Sequence, residues 1–108
     1  MTIDFTQVIS AAQSQAQAIA AYQADVTAAI NAHVEDVSRQ RNYNSAAHIA
    51  SYTTSTVPLW ASEAAAFVAW RDAVWLAALA ALGSAQATGV LPERAALLAS
   101  MPLIVWPA

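Results

Sequence analysis

Apolar positions recur along the first third of the chain in alternating steps of four and three, at Phe5, Ile9, Ala12, Ala16, Ile19, then Gln23, Val26, Ile30, His33 and Val37. That heptad spacing lays a single stripe along one face of an α-helix. Glycine and proline are absent before Pro58, alanine and glutamine dominate, and Asp4 is a suitable N-cap, so one uninterrupted helix is expected from Asp4 to about Arg41. At 1.5 Å per residue it would be roughly 55 Å long, against a radius of gyration of about 13 Å for a compact domain of 100 residues. Five heptads suit an oligomerisation seam through Phe5, Ile9, Ile19, Val26, Ile30 and Val37, in which Gln23 and His33 would set register at some cost in affinity. A hairpin against a later helix of the same chain would cover the same stripe, and the pattern leaves both arrangements open.

The period breaks at Arg41. Asn42-Tyr43-Asn44-Ser45 is turn and N-cap chemistry, with Asn44 or Ser45 placed to start a short helix running through Ala46, His48, Ile49 and Tyr52. The polar, β-branched run from Tyr52 to Val57 opposes helix, as does the residue after it, Pro58. A second long helix is expected from about Leu59 to a stop at Gly83, with Glu63 near its positive dipole end. Leu91-Pro92-Glu93-Arg94 reads as the start of a short helix reaching about Ser100, which Pro102 ends. The remainder, Met101 to Ala108, is too apolar for a solvated terminus and is expected to dock as an extended segment.

The sum is an all-α chain: a long N-terminal helix with a heptad seam, a short helix, a second long Trp-rich helix packed antiparallel to the first, a short C-terminal helix and an extended apolar tail. Residues 1–41 form a possible coiled-coil oligomerisation segment, and 42–108 a small helical domain on its C-terminal part.

Within the second long helix, Ala66-Phe67-Val68-Ala69-Trp70-Arg71-Asp72-Ala73-Val74-Trp75 sets an opposite-charge pair between tryptophans in an apolar run. The stretch from Ala64 to Leu82 has membrane-spanning length, but Arg71 and Asp72 near its middle would each cost about 2.5–3.5 kcal/mol at a bilayer centre, which favours a core or interface helix. Neighbouring residues do not share a helical face, so each charge is expected to have its own partner. Antiparallel packing would match Arg71 with Glu35 or Asp36, and Asp72 with Arg39 or Arg41; the alternative is that both reach water. Trp60, Phe67 and Val74 share spacing along one face, with Trp70 elsewhere. Core and subunit contacts account for Trp60, Trp70, Trp75 and Trp106 more cheaply than a sugar or peptide platform does.

Composition narrows the function classes. The chain has 108 residues, a one-domain length, and with 58% hydrophobic and only 10% charged residues it points to self-association or a partner. Lysine is absent and four arginines face seven acids, a formal net charge of -3, which argues against binding nucleic acid through its phosphates. With no cysteine there is no disulfide framework or thiolate site and the redox compartment is left open, while the first residues lack the basic region of a secretory signal, so a cytoplasmic product is expected. His33 and His48 have no converging ligands, Ser45, His48 and Asp36 lack a nucleophile turn, and Gly83 and Gly89 make no phosphate loop. No catalysis, cofactor or metal is expected.

One resemblance reaches further. Arg41-Asn42-Tyr43-Asn44-Ser45, Ser51-Tyr52, Trp60, Glu63, the Trp70-Arg71-Asp72-Ala73-Val74-Trp75 core and Val105-Trp106-Pro107 together resemble a small tail-region domain of tailed bacteriophages and prophages, often found beside tail-fibre components. The resemblance spans about Val26 to Pro107 and departs from the usual pattern at Asn42 and Asn44, where Gly and Asp are expected. It implies a non-enzymatic structural protein of the phage tail, an adaptor gripping other tail or tail-fibre proteins. Trp60, Phe67, Trp70, Arg71, Asp72, Trp75 and Trp106 would be its structural and interface residues. It further implies a homo-oligomer, a trimer matching fibre symmetry, located in the virion tail and in the host cytoplasm during assembly. An assembly chaperone absent from the mature virion is the alternative, and a small membrane protein of the lysis type a third class.

Overall fold

A computed structural model describes the backbone of residues 5–107 and the side chains of residues 13–107. Four α-helices follow in order: α1 (Phe5–Ser38), α2 (Ala46–Ala50), α3 (Pro58–Thr88) and α4 (Arg94–Ala99). Short 3₁₀ segments, Arg39–Arg41 and Ser51–Thr54, extend α1 and α2. The fold is all-α, with no strand among the described residues. Asp4 and the side chains of Phe5, Ile9 and Ala12 lie outside the described residues.

From Ile19 to Val37 the heptad stripe of α1 faces α3 of the same chain, running antiparallel, while Ala16 is exposed. His33 stacks edge-on to Trp70 with ring centroids 5.5 Å apart. Val26 and Ile30 share a small apolar cavity with Trp75 and Ala78. Ile19, half-buried, lies beside Ala85 and Leu91. From α1, Val26, Ile30, Val34 and Val37 are buried, and from α3 Ala64, Phe67, Trp70, Val74 and Ala78 join them in one cluster. Segments 1–41 and 42–108 therefore share a core. The stripe at Val26, Ile30 and Val37 is filled within the chain, and the hairpin is the arrangement adopted. With α1 about 51 Å long at 1.5 Å per residue, the molecule measures 74 × 20 × 20 Å with a radius of gyration of 19.1 Å.

Local chemistry sets the ends of the elements. Asn42 closes the 3₁₀ turn after α1 in the left-handed region (φ 69°), its N–H donating to the Arg39 carbonyl at 3.2 Å; asparagine tolerates this conformation better than most residues with a Cβ. Ser45 is the N-cap of α2, its hydroxyl accepting from the His48 N–H at 3.0 Å. That helix is shorter than expected, because Ser51 turns its hydroxyl onto the His48 carbonyl (2.6 Å) and the chain tightens into 3₁₀ geometry. Conversely, α3 does not stop at Gly83. The alanines around it keep the helix favourable, and one more turn buries Ala85 near Ile19. Gly89 (φ 75°) is the true terminator, its N–H donating to the Ala85 carbonyl at 2.8 Å. Helix α4 starts at Arg94, leaving Pro92 ahead of its N-cap, Glu93. It is tied to α1 by the Arg94–Asp25 ion pair (2.8 Å) and by the buried Leu97.

The expected pairing of Arg71 and Asp72 with the charges of α1 does not occur. Arg71 wraps onto its own neighbour, with Nη2 3.1 Å and Nε 3.3 Å from Asp72 Oδ1, on the solvent side of α3. The α1 charges are committed elsewhere: Glu35 to the Ala46 N–H (3.0 Å), Asp36 to Arg39 (3.1 Å) and Arg41 to Glu63. A solvent-facing pair contributes little. Asp72→Ala should therefore change stability by less than about 0.5 kcal/mol, whereas Ile30→Ala, at the centre of the shared stripe, should cost about 2–5 kcal/mol. Denaturant unfolding of both variants checks the contrast, and equal losses would contradict it.

Candidate functional site

Two features sit on the hairpin: a return segment and a cleft at the end where α1 finishes and α3 begins. After α4, Met101 is buried and the chain runs extended along the groove between the long helices, parallel to α1. Two indoles hold it. Trp70 Nε1 donates to the Pro102 carbonyl at 2.8 Å, and Trp106 Nε1 to the Gln40 side-chain oxygen at 3.2 Å. The Arg41 guanidinium lies 5.2 Å from the centre of the Trp106 ring, a cation–π contact. Ile104 and Trp106 turn inward onto the core, while Leu103 and Val105 point out, 88% and 83% exposed. The expectation that this segment docks is met.

The cleft encloses about 330 Å³ and is lined by Arg41, Asn42, Tyr43, His48, Tyr52, Trp60 and Glu63. Its wall is a chain of edge-to-face rings: Tyr43 to His48 at 5.7 Å, Tyr43 to Tyr52 at 5.6 Å, His48 to Tyr52 at 5.3 Å and Tyr52 to Trp60 at 5.8 Å. Local bonds fix that wall. Glu35 on α1 accepts the Ala46 N–H, so the first turn of α2 is anchored to the long helix as well as capped by Ser45. His48 Nδ1 accepts the Asn44 N–H at 3.0 Å, which leaves Nε2 carrying the proton in the neutral ring.

Glu63 is the notable group. Its side chain is only 8% exposed, yet its partners are distant: the Tyr43 hydroxyl donates to Oε1 across 3.5 Å, and Arg41 Nε stands 3.7 Å from Oε2. A charge-assisted contact usually measures about 2.7–2.9 Å, so the carboxylate keeps acceptor capacity towards the cleft. Burial, followed by the Glu63 charge and its hydrogen bond, raises the Tyr43 pKa; burial and Asp25 raise that of Tyr22, whose enclosed hydroxyl has no partner among the described residues.

Of the residues singled out in the sequence, Phe67, Trp70 and partly buried Trp75 belong to the core, Trp106 clamps the return segment, and Arg71 and Asp72 face water. Trp60 keeps its spacing with Phe67 and Val74 along α3 but stands at the cleft, 45% exposed, while those two are fully buried. The cleft itself escaped sequence reasoning. Its one legible signal was Glu63, a lone acid early in an otherwise apolar helix. Of Ser45, His48 and Asp36, the Ser45 hydroxyl meets the main-chain N–H of His48, His48 Nδ1 accepts the Asn44 N–H, and Asp36 pairs with Arg39. No group of three or more potential metal ligands occurs among the described residues. Comparison of the chain with models of known protein families, with curated proteins and with solved structures finds no match.

The raised tyrosines carry a pH dependence with a definite sign. The unfolded chain releases tyrosine protons near pH 10 while folded Tyr43 and Tyr22 hold theirs longer, so the unfolded state binds fewer protons and stability falls as pH rises beyond that point. Lysine, which titrates in the same range, is absent. Melting temperature should thus drop from about pH 9 to pH 11, and the Tyr22→Phe/Tyr43→Phe double variant should flatten the drop; an unchanged slope would remove these two groups as its source.

Proposed function

We propose that this chain is a non-enzymatic structural protein of a bacteriophage tail, an adaptor associated with the tail fibre. The observation that carries the reading is the pair of outward apolar side chains, Leu103 and Val105, on a segment whose inward partners are pinned to both long helices. Leu76 and Leu79 add exposed apolar surface on α3. Apolar surface presented on a fixed backbone, in a chain with 10% charged residues, suits contact with another protein. The Trp70-Arg71-Asp72-Ala73-Val74-Trp75 resemblance directs that contact to other tail or tail-fibre proteins.

In this reading the protein acts in the virion tail and is held in the host cytoplasm during assembly. It works as a homo-oligomer, a trimer, joined through the part of α1 that precedes Val26, because Val26, Ile30 and Val37 are already covered within the chain. A second reading draws on α3, which is long and apolar enough to cross a membrane and has only 22% of its most apolar window buried. It would make the chain a small membrane protein of the lysis type.

One fractionation distinguishes these roles. Mass spectrometry is expected to find the chain in purified virions in amounts comparable with other tail proteins. Its presence only in the soluble lysate would replace the adaptor with an assembly chaperone, and its recovery in membranes would favour the lysis reading. For the oligomer, light scattering on size-exclusion eluate should give three chain masses at micromolar concentration. A single chain mass there would overturn the trimer and leave the intrachain hairpin as the whole role of the heptads.

A further inference from the structure

We propose that the cleft between the end of α1, α2 and the start of α3 is a binding site for a neutral saccharide unit, a role separate from the adaptor contact. Its volume of about 330 Å³ is at the lower end of small-ligand sites, the size of one or two sugar rings rather than a peptide. Its charges cancel, since Arg41 and Glu63 face each other at 3.7 Å. An anion entering would meet the Glu63 carboxylate and a cation the Arg41 guanidinium, so an uncharged ligand is the one that opposes neither.

The polar groups are of mixed kind, as a ring of hydroxyls requires. Glu63 is an acceptor with weakly used lone pairs, Arg41 and the His48 Nε2–H are donors, and the Asn42 amide and Tyr52 hydroxyl serve as either. Beside them stands Trp60, an exposed residue whose ring is braced edge-to-face by Tyr52. An indole in that position offers a flat apolar surface to the C–H face of a sugar while the hydroxyls at the sugar's edge meet the polar groups. The wall is preorganised by the Ser45 cap, the Glu35 anchor and the left-handed turn at Asn42, so little ordering is left for the ligand to impose. The cavity around Tyr22, Trp75 and Leu97 is a poor rival: it is mostly apolar and holds only about 70 Å³.

The test follows the four indole N–H resonances of isotope-labelled protein during titration with glucose, galactose, mannose and N-acetylglucosamine, each also as its methyl glycoside. Choline chloride and sodium phosphate are the charged probes. At least one neutral sugar should shift the Trp60 indole saturably, with a dissociation constant in the millimolar range, and leave that of Trp70 unmoved. Binding of the methyl glycoside identifies the ligand as a chain-terminal unit, and its loss as a free reducing sugar. Trp60→Ala, at an exposed position, should keep the helical circular dichroism and weaken binding by about tenfold, followed through the His48 and Asn42 amides; Glu63→Gln should weaken it with the cleft's shape retained. Saturation by choline or phosphate instead, no saturable shift with any of the sugars, or full affinity in Trp60→Ala would each overturn the proposal.

Discussion

The antiparallel register of α1 on α3 is the constraint to which the other elements answer. Helix α1 offers one apolar stripe, while α3 is apolar almost all round, so pairing the two satisfies α1 and leaves much of α3 still uncovered. What remains is met in pieces: α2 near the start of α3, α4 and the return segment along the groove. Shifting the register by one heptad would take Trp70 away from His33 and carry its indole N–H away from Pro102. The position of the return segment is therefore a consequence of how the two long helices meet.

The same register builds the cleft. It brings Glu35 in the last turn of α1, and Arg41 in the 3₁₀ turn that follows, level with the first turns of α3, where Trp60 and Glu63 stand, and the short α2 fills the corner between them. Arg41 joins the two features described above, because its guanidinium faces Glu63 on one side and the Trp106 ring on the other. Displacing the return segment would thus remove one of the two groups that hold Arg41, and the electrostatics of the cleft would register it.

What could be read from the sequence was local. The stripe of α1, the Ser45 cap, the polar break before Pro58 and the docking of the apolar tail each follow from a few adjacent residues, and each is present. The errors arose where a local rule met a longer reach. Arg71 and Asp72 occupy different helical faces by backbone geometry, yet an arginine side chain is long enough to bend around to its neighbour. Gly83 is a common helix stop, but the alanines on both sides and the burial gained at Ala85 outweigh one unfavourable residue. The Tyr43–Glu63–Arg41 grouping joins positions twenty or more residues apart through a turn whose path no periodicity announces. Trp60 does continue the spacing of Phe67 and Val74, but spacing alone does not tell where along α3 the cover from α1 ends.

The bond from Trp70 to residue 102 reaches a main-chain carbonyl, an acceptor that every amino acid carries. Proline at that position contributes a fixed φ and the lack of a competing N–H, not the contact itself. This tether is consequently indifferent to the side chain at 102, whereas the second one depends on the Trp106 indole. Substitutions at 103 and 105 can retune the outward face of the segment without breaking either indole bond, so that exposed surface can diverge while its scaffold stays the same.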